Sequence, residues 1–254
     1  MQPKWPIPSS IRSLLTTRYG GVSEEPYASF NLATHVADDP SAVLKNRKAL
    51  ANKVGYETRW FNQVHGIDVA RLSAFSSQAS DDADAVYSSE AAQVCAVLTA
   101  DCLPLLLASN NGDEVAAVHC GWRGLAGGML PAAVRAFRCS PKDILVYLGP
   151  AISQPYFEVG SEVFGAFLSA QKQRCFAENV GESFTESPSA KSKYYADLYR
   201  IARAELSGLG IRDIYGGGFC TFSESRFYSY RRDAQTGRMA SLIWIEAESP
   251  AHGL

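Results

Sequence analysis

Apolar and polar positions follow two different periods along this 254-residue chain. Apolar residues recur with helical spacing in several segments, which predicts helices over 41–54, 125–138, 161–170 and 195–206. Short apolar runs bounded by turn residues predict strands over 94–98, 103–108, 115–119, 144–148, 227–230 and 240–245. Because helices and strands alternate irregularly, the pattern favours a mixed-sheet α+β fold in layers over a Rossmann fold or a barrel.

Local signals refine this outline. Ser41, which follows Pro40, is the expected N-cap of the first helix. The sequence Asn-Asn-Gly-Asp at 110–113 is a turn signal, so the strands on either side are expected to form an antiparallel hairpin. The polar segment 185–193 is followed by renewed apolar periodicity and is therefore interpreted as a surface insertion. We accordingly expect one catalytic domain spanning residues 1–254.

Composition narrows the class of protein. Hydrophobic residues make up 46% of the chain and charged residues 20%. Both values are typical of a globular chain. The net charge of −2 and the absence of Lys/Arg runs argue against nucleic-acid and membrane partners. The N-terminal sequence lacks the apolar core of a secretory signal, so a cytoplasmic protein is expected. None of the six cysteines forms a CxxC pair, and most are expected to be reduced thiols.

Three residues stand out as candidates for catalysis: His65, Cys102 and His119. Cys102 and His119 each follow an apolar strand and precede a turn, where rigid scaffolds display catalytic groups. If strands 94–98 and 115–119 share a sheet, these two side chains project from neighbouring positions. Cys120 would then point to the opposite face of its strand. The thiol expected in the site is therefore Cys102.

The gaps between these three residues are not those of a local zinc motif, so ordinary buried residues are the alternative to a reactive site. As a site, the set of side chains is compatible with several chemistries. Two imidazoles and one thiolate suit zinc with an open fourth position, where the metal can activate water. The same residues suit a cysteine nucleophile with a histidine base, which performs acyl transfer or deamidation. They also suit a trigonal copper site. A multicopper oxidase needs more imidazoles than the four histidines of this chain supply.

Other polar residues are candidate substrate contacts. Arg18 stands beside the Gly20–Gly21 pair, where it would either clamp an anion or be an ordinary surface arginine before a turn. Arg123 follows His119 in a comparable loop. His35 is a candidate for proton transfer or ribose contact. The acidic cluster at 81–84 is interpreted as a solvated loop, with Asp84 capping the next strand. The aromatic and basic segment 228–232 is interpreted either as a surface that stacks on a ring or as a plain surface strand. The glycines at 216–218 favour a close backbone crossing over a phosphate loop.

Several of these segments together resemble the multicopper polyphenol oxidase (laccase) family, also described as the YfiH or YlmD family of purine nucleoside phosphorylases. They occur in order along nearly the whole chain: TRYGGVSEEPYASFNLATHVADDP (17–40), NQVHG (62–66), DADAVYS (82–88), LTADCLPLLLA (98–108), VHCGWRGLAGG (118–128), LGPAIS (148–153) and FYSYRRDAQTGRMASLIW (227–244). The family's usual HAGWRG is HCGWRG here, which removes no candidate ligand.

The resemblance implies a layered α/β/β/α sandwich similar to the catalytic domain of a deamidating bacterial toxin. It implies a zinc triad of His65, Cys102 and His119, with Cu²⁺ as the other possible metal. The implied reactions are phosphorolysis of adenosine, inosine, guanosine and methylthioadenosine and deamination of adenosine, so the partners are a purine nucleoside and phosphate. The alternatives are a Cys/His amidase that edits cell-wall peptide precursors and a copper-dependent polyphenol oxidase. The residues expected to bind substrate are Arg18, Asn31, His35, Arg123 and Arg231.

Overall fold

A computed structural model describes residues 1–74, 81–188 and 190–247. The strands in these ranges are β1 (Ile11–Leu15), β2 (Val69–Leu72), β3 (Ala85–Ser88), β4 (Cys95–Thr99), β5 (Leu103–Ser109), β6 (Val115–Cys120), β7 (Ile144–Leu148), β8 (Glu158–Gly160), β9 (Phe184–Glu186), β10 (Lys193–Ala196), β11 (Asp213–Gly216) and β12 (Met239–Ile245). The α-helices are α1 (Pro40–Val54), α2 (Trp122–Gly127), α3 (Met129–Ala136), α4 (Ser161–Gln173), α5 (Leu198–Gly208) and α6 (Tyr230–Asp233).

A six-stranded sheet forms the centre of the molecule, in the order β11-β7-β5-β6-β3-β2. Its two outer pairs, β11/β7 and β2/β3, are parallel, and the inner pairs are antiparallel. The β5–β6 hairpin predicted around the turn at 110–113 is present. Two three-stranded sheets, β1-β12-β4 and β8-β10-β9, accompany this one. The predicted mixed-sheet α+β fold is therefore confirmed.

The apolar clusters define the layers. One face of the six-stranded sheet packs against α2 to α5 through buried residues that include Leu105, Val118, Leu130 and Ile201. Its other face packs against the β1-β12-β4 sheet through Val97, Leu106, Ala117 and Ile243, among others. The outer face of that smaller sheet is covered by α1 through Leu50, Val54, Leu98 and Leu242. The layers thus run helix, sheet, sheet, helices. The expected likeness to a toxin deamidase stays a prediction.

Three predicted helices differ in their ends. Helix α1 begins at Pro40 because the Asp39 carboxylate accepts the Ser41 amide, so the N-cap is Asp39 and not Ser41. The helix predicted over 125–138 is two helices, because Gly128 adopts a left-handed φ of 104° and ends α2. The helix predicted from residue 195 begins at Leu198, after the Asp197 cap.

Two strand predictions also need correction. Residues 227–230 do not form a strand, because Phe227 and Tyr228 are buried in a small cluster and Ser229 caps the short helix α6. Strand β4 belongs to the smaller sheet, so it does not share a sheet with β6. None of the helices in the described ranges has the length and apolar character needed to cross a bilayer.

Candidate functional site

Cys102 and His119 lie side by side at one end of the β5–β6 hairpin. His119 pairs with Pro104 in the antiparallel register, and Cys102 lies two residues before Pro104 on the same face. Cys120 pairs with Leu103 and is buried on the opposite face, among the helices. The structure therefore brings Cys102, and not Cys120, to His119, although it is β5 and not β4 that places Cys102 beside β6.

His65 reaches the same point from the loop between α1 and β2. Its backbone adopts a left-handed φ of 60°, and its Nε2 lies 3.8 Å from Sγ of Cys102. Gly121 makes this approach possible, since a Cβ there would be 2.5 Å from Cδ2 of His65 and 3.3 Å from Sγ of Cys102. The rings of His65 and His119 meet edge to face, with centroids 4.8 Å apart.

The buried carboxylate of Asp84 holds both histidines. Its Oδ1 accepts hydrogen bonds from the backbone amide of His65 and from Nδ1 of His119, at 3.0 and 2.7 Å. Its Oδ2 accepts the amides of Val64 and Gly66, at 3.1 and 2.7 Å. The interpretation of Asp84 as part of a solvated loop is wrong. A signal was present in the sequence, because within the cluster only Asp84 is flanked by alanine on both sides.

Asp101 fixes the backbone just before Cys102. It has a left-handed φ of 90°, an uncommon conformation for a residue other than glycine. Its Oδ1 accepts the Thr221 hydroxyl and its Oδ2 accepts the backbone amide of Arg231, both at 2.6 Å. These contacts connect the Cys102 turn to the C-terminal segment of the chain.

The site favours ionised groups. Burial opposes ionisation of the Cys102 thiol, but the adjacent His119 and His65 outweigh it and lower the pKa of Cys102 to about 6. Burial likewise disfavours the charged form of His119, yet Cys102 and Asp84 raise its pKa to about 9. Burial raises the pKa of Asp84, but hydrogen bonds from His119 and the loop amides lower it overall. Near neutral pH the metal-free site therefore holds a thiolate beside an imidazolium.

The donor set fits a transition-metal ion. The potential ligand atoms of His65, Cys102 and His119 all lie within 4.8 Å of one another. With Nδ1 of His119 bound to Asp84, its Nε2 is the atom free to coordinate. Three donors of the His₂Cys type suit zinc with an open fourth position, and they also suit copper.

A cavity of about 280 Å³ opens beside the three side chains. Phe61, Leu98 and Ala100 supply apolar lining, while His35, Tyr230 and Arg238 supply polar groups. A cavity that combines apolar walls with a few convergent polar groups is typical of a small-molecule site.

His35 is the one substrate-binding candidate that lines this cavity. Burial together with the positive charges of Arg238 and Arg47 lowers the pKa of His35, which keeps the imidazole neutral near pH 7. Asn31 is fully buried, and its Oδ1 accepts the backbone amide of Arg238. Asn31 thus holds a wall of the cavity.

The three other candidates lie outside the cavity lining. Arg18 donates to the Ala28 carbonyl and packs over the Tyr228 ring. Arg123 is exposed and packs over the neighbouring Trp122 ring, while Arg231 donates to main-chain carbonyls at 156 and 158. Their assignment as substrate-binding residues stays a prediction.

The cation that does line the cavity is Arg238, which sequence reasoning missed. Its Nη1 donates to the carbonyls of Thr236 and Gly237, and its guanidinium lies 5.9 Å from the Tyr230 ring centroid. The Gly-Arg step before β12 was the available signal. By contrast, the expected backbone crossing at the glycine run is confirmed, since a Cβ on Gly216 would be 2.3 Å from the Leu148 carbonyl oxygen.

Comparison with known proteins identifies a family and close relatives of this chain. Residues 12–246 match the family described as multi-copper polyphenol oxidoreductase laccase. Two relatives named purine nucleoside phosphorylase are similar over almost their whole length. One, from Pseudomonas aeruginosa, is 44% identical and covers 97% of this chain and 98% of its own. The other, YfiH of Escherichia coli, is 45% identical and covers 96% of this chain and 97% of its own.

Solved structures show the same fold. A protein from Neisseria meningitidis superposes with a TM-score of 0.90 at 43% identity, covering 97% of this chain and 99% of that one. YlmD from Geobacillus stearothermophilus superposes with a TM-score of 0.84 at 30% identity, covering 94% of this chain and 93% of that one. The chain therefore belongs to the multi-copper polyphenol oxidoreductase laccase family, which includes proteins named YfiH.

Proposed function

We propose that this protein is a zinc-dependent purine nucleoside phosphorylase acting on adenosine, inosine, guanosine and methylthioadenosine. The observation that carries the proposal is the His65–Cys102–His119 cluster at the wall of a cavity that also holds Arg238. The relatives named purine nucleoside phosphorylase support the same activity. Zinc held by the three donors would supply Lewis acidity that polarises the substrate or activates water.

The other side chains of the cavity fit the two substrates. Arg238 provides a cation for phosphate. Its backbone amide donates to Asn31 and its guanidinium donates to the Thr236 carbonyl, and both bonds limit the freedom of the side chain. Tyr230 and Phe61 offer aromatic surfaces to a purine ring. Phosphate held near the sugar would attack C1′ as the C1′–N9 bond breaks, through a state with oxocarbenium character. The departing purine would take up the proton that hydrogen phosphate gives up. Phosphorolysis thus depends mainly on positioning and charge.

Adenosine deamination belongs to the same proposal. The reaction adds water at C6 of the purine and releases ammonia, so a base must accept a proton from the water. The glutamate of other zinc deaminases has no counterpart among the described residues that line the cavity. His35 is neutral near pH 7 and lines the same space, so it is the group we assign to this proton transfer.

The experiment is a product assay on protein whose zinc and copper contents have been measured. We expect zinc-loaded protein with inosine and phosphate to release hypoxanthine and ribose 1-phosphate. Hypoxanthine that appears equally without phosphate would indicate hydrolysis. No purine product from any of the four nucleosides would refute the proposal.

A second candidate function is an amidase that acts on cell-wall peptide precursors. The lowered pKa of Cys102 favours it, because a thiolate beside an imidazolium is the resting state of many cysteine nucleophiles. A metal-free sample that cleaves a peptide amide and loses this activity in Cys102→Ser would support it. Copper loading with phenol oxidation would instead favour the polyphenol oxidase alternative.

A further inference from the structure

One carboxylate connects two of the three potential metal ligands. Asp84 accepts four hydrogen bonds, two at each oxygen, and three of its four donors are consecutive backbone amides of the loop that carries His65. The fourth donor is Nδ1 of His119, on β6. The two histidines are distant in the sequence, yet they share this one acceptor.

We propose that Asp84 is a positioning residue that aims both imidazoles at one metal ion and fixes the tautomer of His119. The inference rests on the proposed metal centre and is independent of the reaction that the cavity performs.

Each half of this role has a distinct structural basis. The three amides hold the loop while His65 adopts its left-handed φ of 60°. Residues that bear a side chain rarely adopt this conformation without support. Oδ1 of Asp84 lies 2.7 Å from Nδ1 of His119. A carboxylate acceptor so close requires a proton on that nitrogen, so when the ring loses its second proton to bind a metal, Nε2 carries the lone pair, on the side of Cys102. Carboxylate–histidine–metal arrangements of this kind orient ligands and strengthen binding.

A strand cap alone would not account for this geometry. A cap at the start of β3 needs to accept only nearby amides, and the bonds to Val64 and Gly66 would satisfy it. The bond to the His119 ring adds little to such a role, but it determines which nitrogen can coordinate. The position is also fully buried, so water does not replace a lost acceptor easily.

An Asp84→Asn variant tests the charge and the acceptor atoms of this side chain without changing its size. Asp84→Asn keeps the shape but replaces one acceptor oxygen with an NH₂ group. In one orientation this group faces the amides of Val64 and Gly66, which are donors themselves. In the other orientation it donates to Nδ1 of His119, which moves the ring proton to Nε2 and blocks coordination there.

The first measurement is the zinc dissociation constant, obtained by chelator competition on metal-free protein. Asp84→Asn is expected to weaken zinc binding about 10- to 100-fold, as other outer-shell changes do. Asp81→Asn is the matched control, since Asp81 lies in the same segment with its side chain 83% exposed, and it should bind zinc like the wild type. Near-UV circular dichroism checks the fold of each variant.

The second measurement needs no variant at position 84. In zinc-loaded wild-type protein with ¹⁵N-labelled histidine, His119 should show a protonated Nδ1 and a coordinated Nε2. Signals of His35 and His252 are identified by replacing those residues with glutamine. A coordinated Nδ1, or an Nε2 that carries the proton, overturns the inference even if Asp84→Asn fails to fold.

The outcomes are distinguishable. A folded Asp84→Asn with wild-type zinc affinity overturns the inference and leaves the metal centre standing. Wild-type protein that takes up no zinc overturns the metal centre and this inference together. Zinc binding without phosphorolysis overturns only the proposed activity.

Discussion

Sγ of Cys102 lies 3.8 Å from Nε2 of His65, although 37 residues separate the two in the sequence. Cys102 reaches this point from the end of β5 in the central sheet, and His65 reaches it from a loop that Asp84 holds in place. The contact therefore depends on three parts of the chain that meet only in the folded protein.

Replacing the thiol separates a metal ligand from a nucleophile. Cys102→Ala is expected to weaken zinc binding by more than ~100-fold, beyond the effect of an outer-shell change, and to abolish phosphorolysis. Metal analysis after dialysis and the inosine assay measure the two effects. Retained zinc with lost activity would point to a nucleophilic thiol instead.

Cys120→Ala is the matched control, because this thiol faces the helices. For this variant we expect normal zinc content and a loss of about 1 kcal/mol in stability.

A single methyl group at Gly121 should displace His65. The added Cβ of Gly121→Ala would lie 2.5 Å from Cδ2 of His65, so the imidazole must move. A misplacement of about 1 Å in an active site can lower the reaction rate ~100-fold. We therefore expect the displaced His65 to lower the zinc affinity at least roughly tenfold. In α4, a Cβ on Gly165 meets no atom within 4 Å. Gly165→Ala should therefore leave zinc binding intact while stabilising the helix by about 0.5–1 kcal/mol. Equal zinc affinity in both variants would contradict the observed approach of His65.

Arg238 should determine the affinity for phosphate. Because hydrogen bonds to a charged group contribute about 1.5–3 kcal/mol, Arg238→Gln is expected to raise the KM for phosphate ~10- to 150-fold, with a smaller effect on the KM for inosine. Steady-state phosphorolysis measures both constants. Arg135→Gln, an exposed change on α3, serves as the control. If Arg18→Gln raises the phosphate KM and Arg238→Gln does not, the anion binds at the loop predicted from sequence.

The free energy of unfolding should decline as the pH rises, because one carboxyl group is buried in the folded protein. Glu205 is fully buried, and this burial raises its pKa from 4.5 to about 7 even though Nε of Arg174 lies 3.2 Å away. The folded protein therefore retains a proton that the unfolded chain releases above its pKa of 4.5. The resulting stabilisation is complete below that value and is lost as the pH rises through about 7.

Glu205→Gln tests this dependence, because glutamine keeps the neutral form at every pH. Between about pH 4 and about pH 8 we expect the stability of the variant to rise by about 3 kcal/mol relative to that of the wild type, at about 1.4 kcal/mol per pKa unit. Denaturant unfolding at both pH values measures it. Glu178→Gln, on an exposed ion pair with Arg200, should show almost no such change. A parallel pH dependence of Glu205→Gln and wild type would refute the role of Glu205.

Local patterns predicted much of the fold and nominated His65, Cys102 and His119 for the candidate site. The β5–β6 hairpin could be predicted because its strands and turn are contiguous, and alternation along β6 then separated His119 from Cys120. The assignment of β4 failed because strand 94–98 is as apolar as its neighbours, and apolar character does not specify a sheet. The single helix predicted over 125–138 is divided at Gly128, because the break depends on a left-handed φ that the apolar periodicity does not reveal.

The remainder of the site depends on contacts between distant segments. Asp84 is one of three carboxylates at 81–84, and although alanines flank it, its hydrogen-bond partners follow only from the packing of the 62–66 loop against it. The sequence singles out Arg18 and Arg123, each near two glycines, whereas a single glycine precedes Arg238. Arg238 faces the cavity because the fully buried Asn31, 207 residues away in the sequence, holds its backbone amide.

The different environments of the six thiols have a practical consequence for chemical labelling. Cys95 and Cys120 are buried and have raised pKa values, so they should resist thiol reagents in the native protein. Cys102 is partly accessible and ionises near neutral pH, whereas Cys175 is simply exposed. In a Cys175→Ser background, the rate of alkylation at Cys102 would therefore report whether a metal or a substrate occupies the cavity, before any turnover is measured.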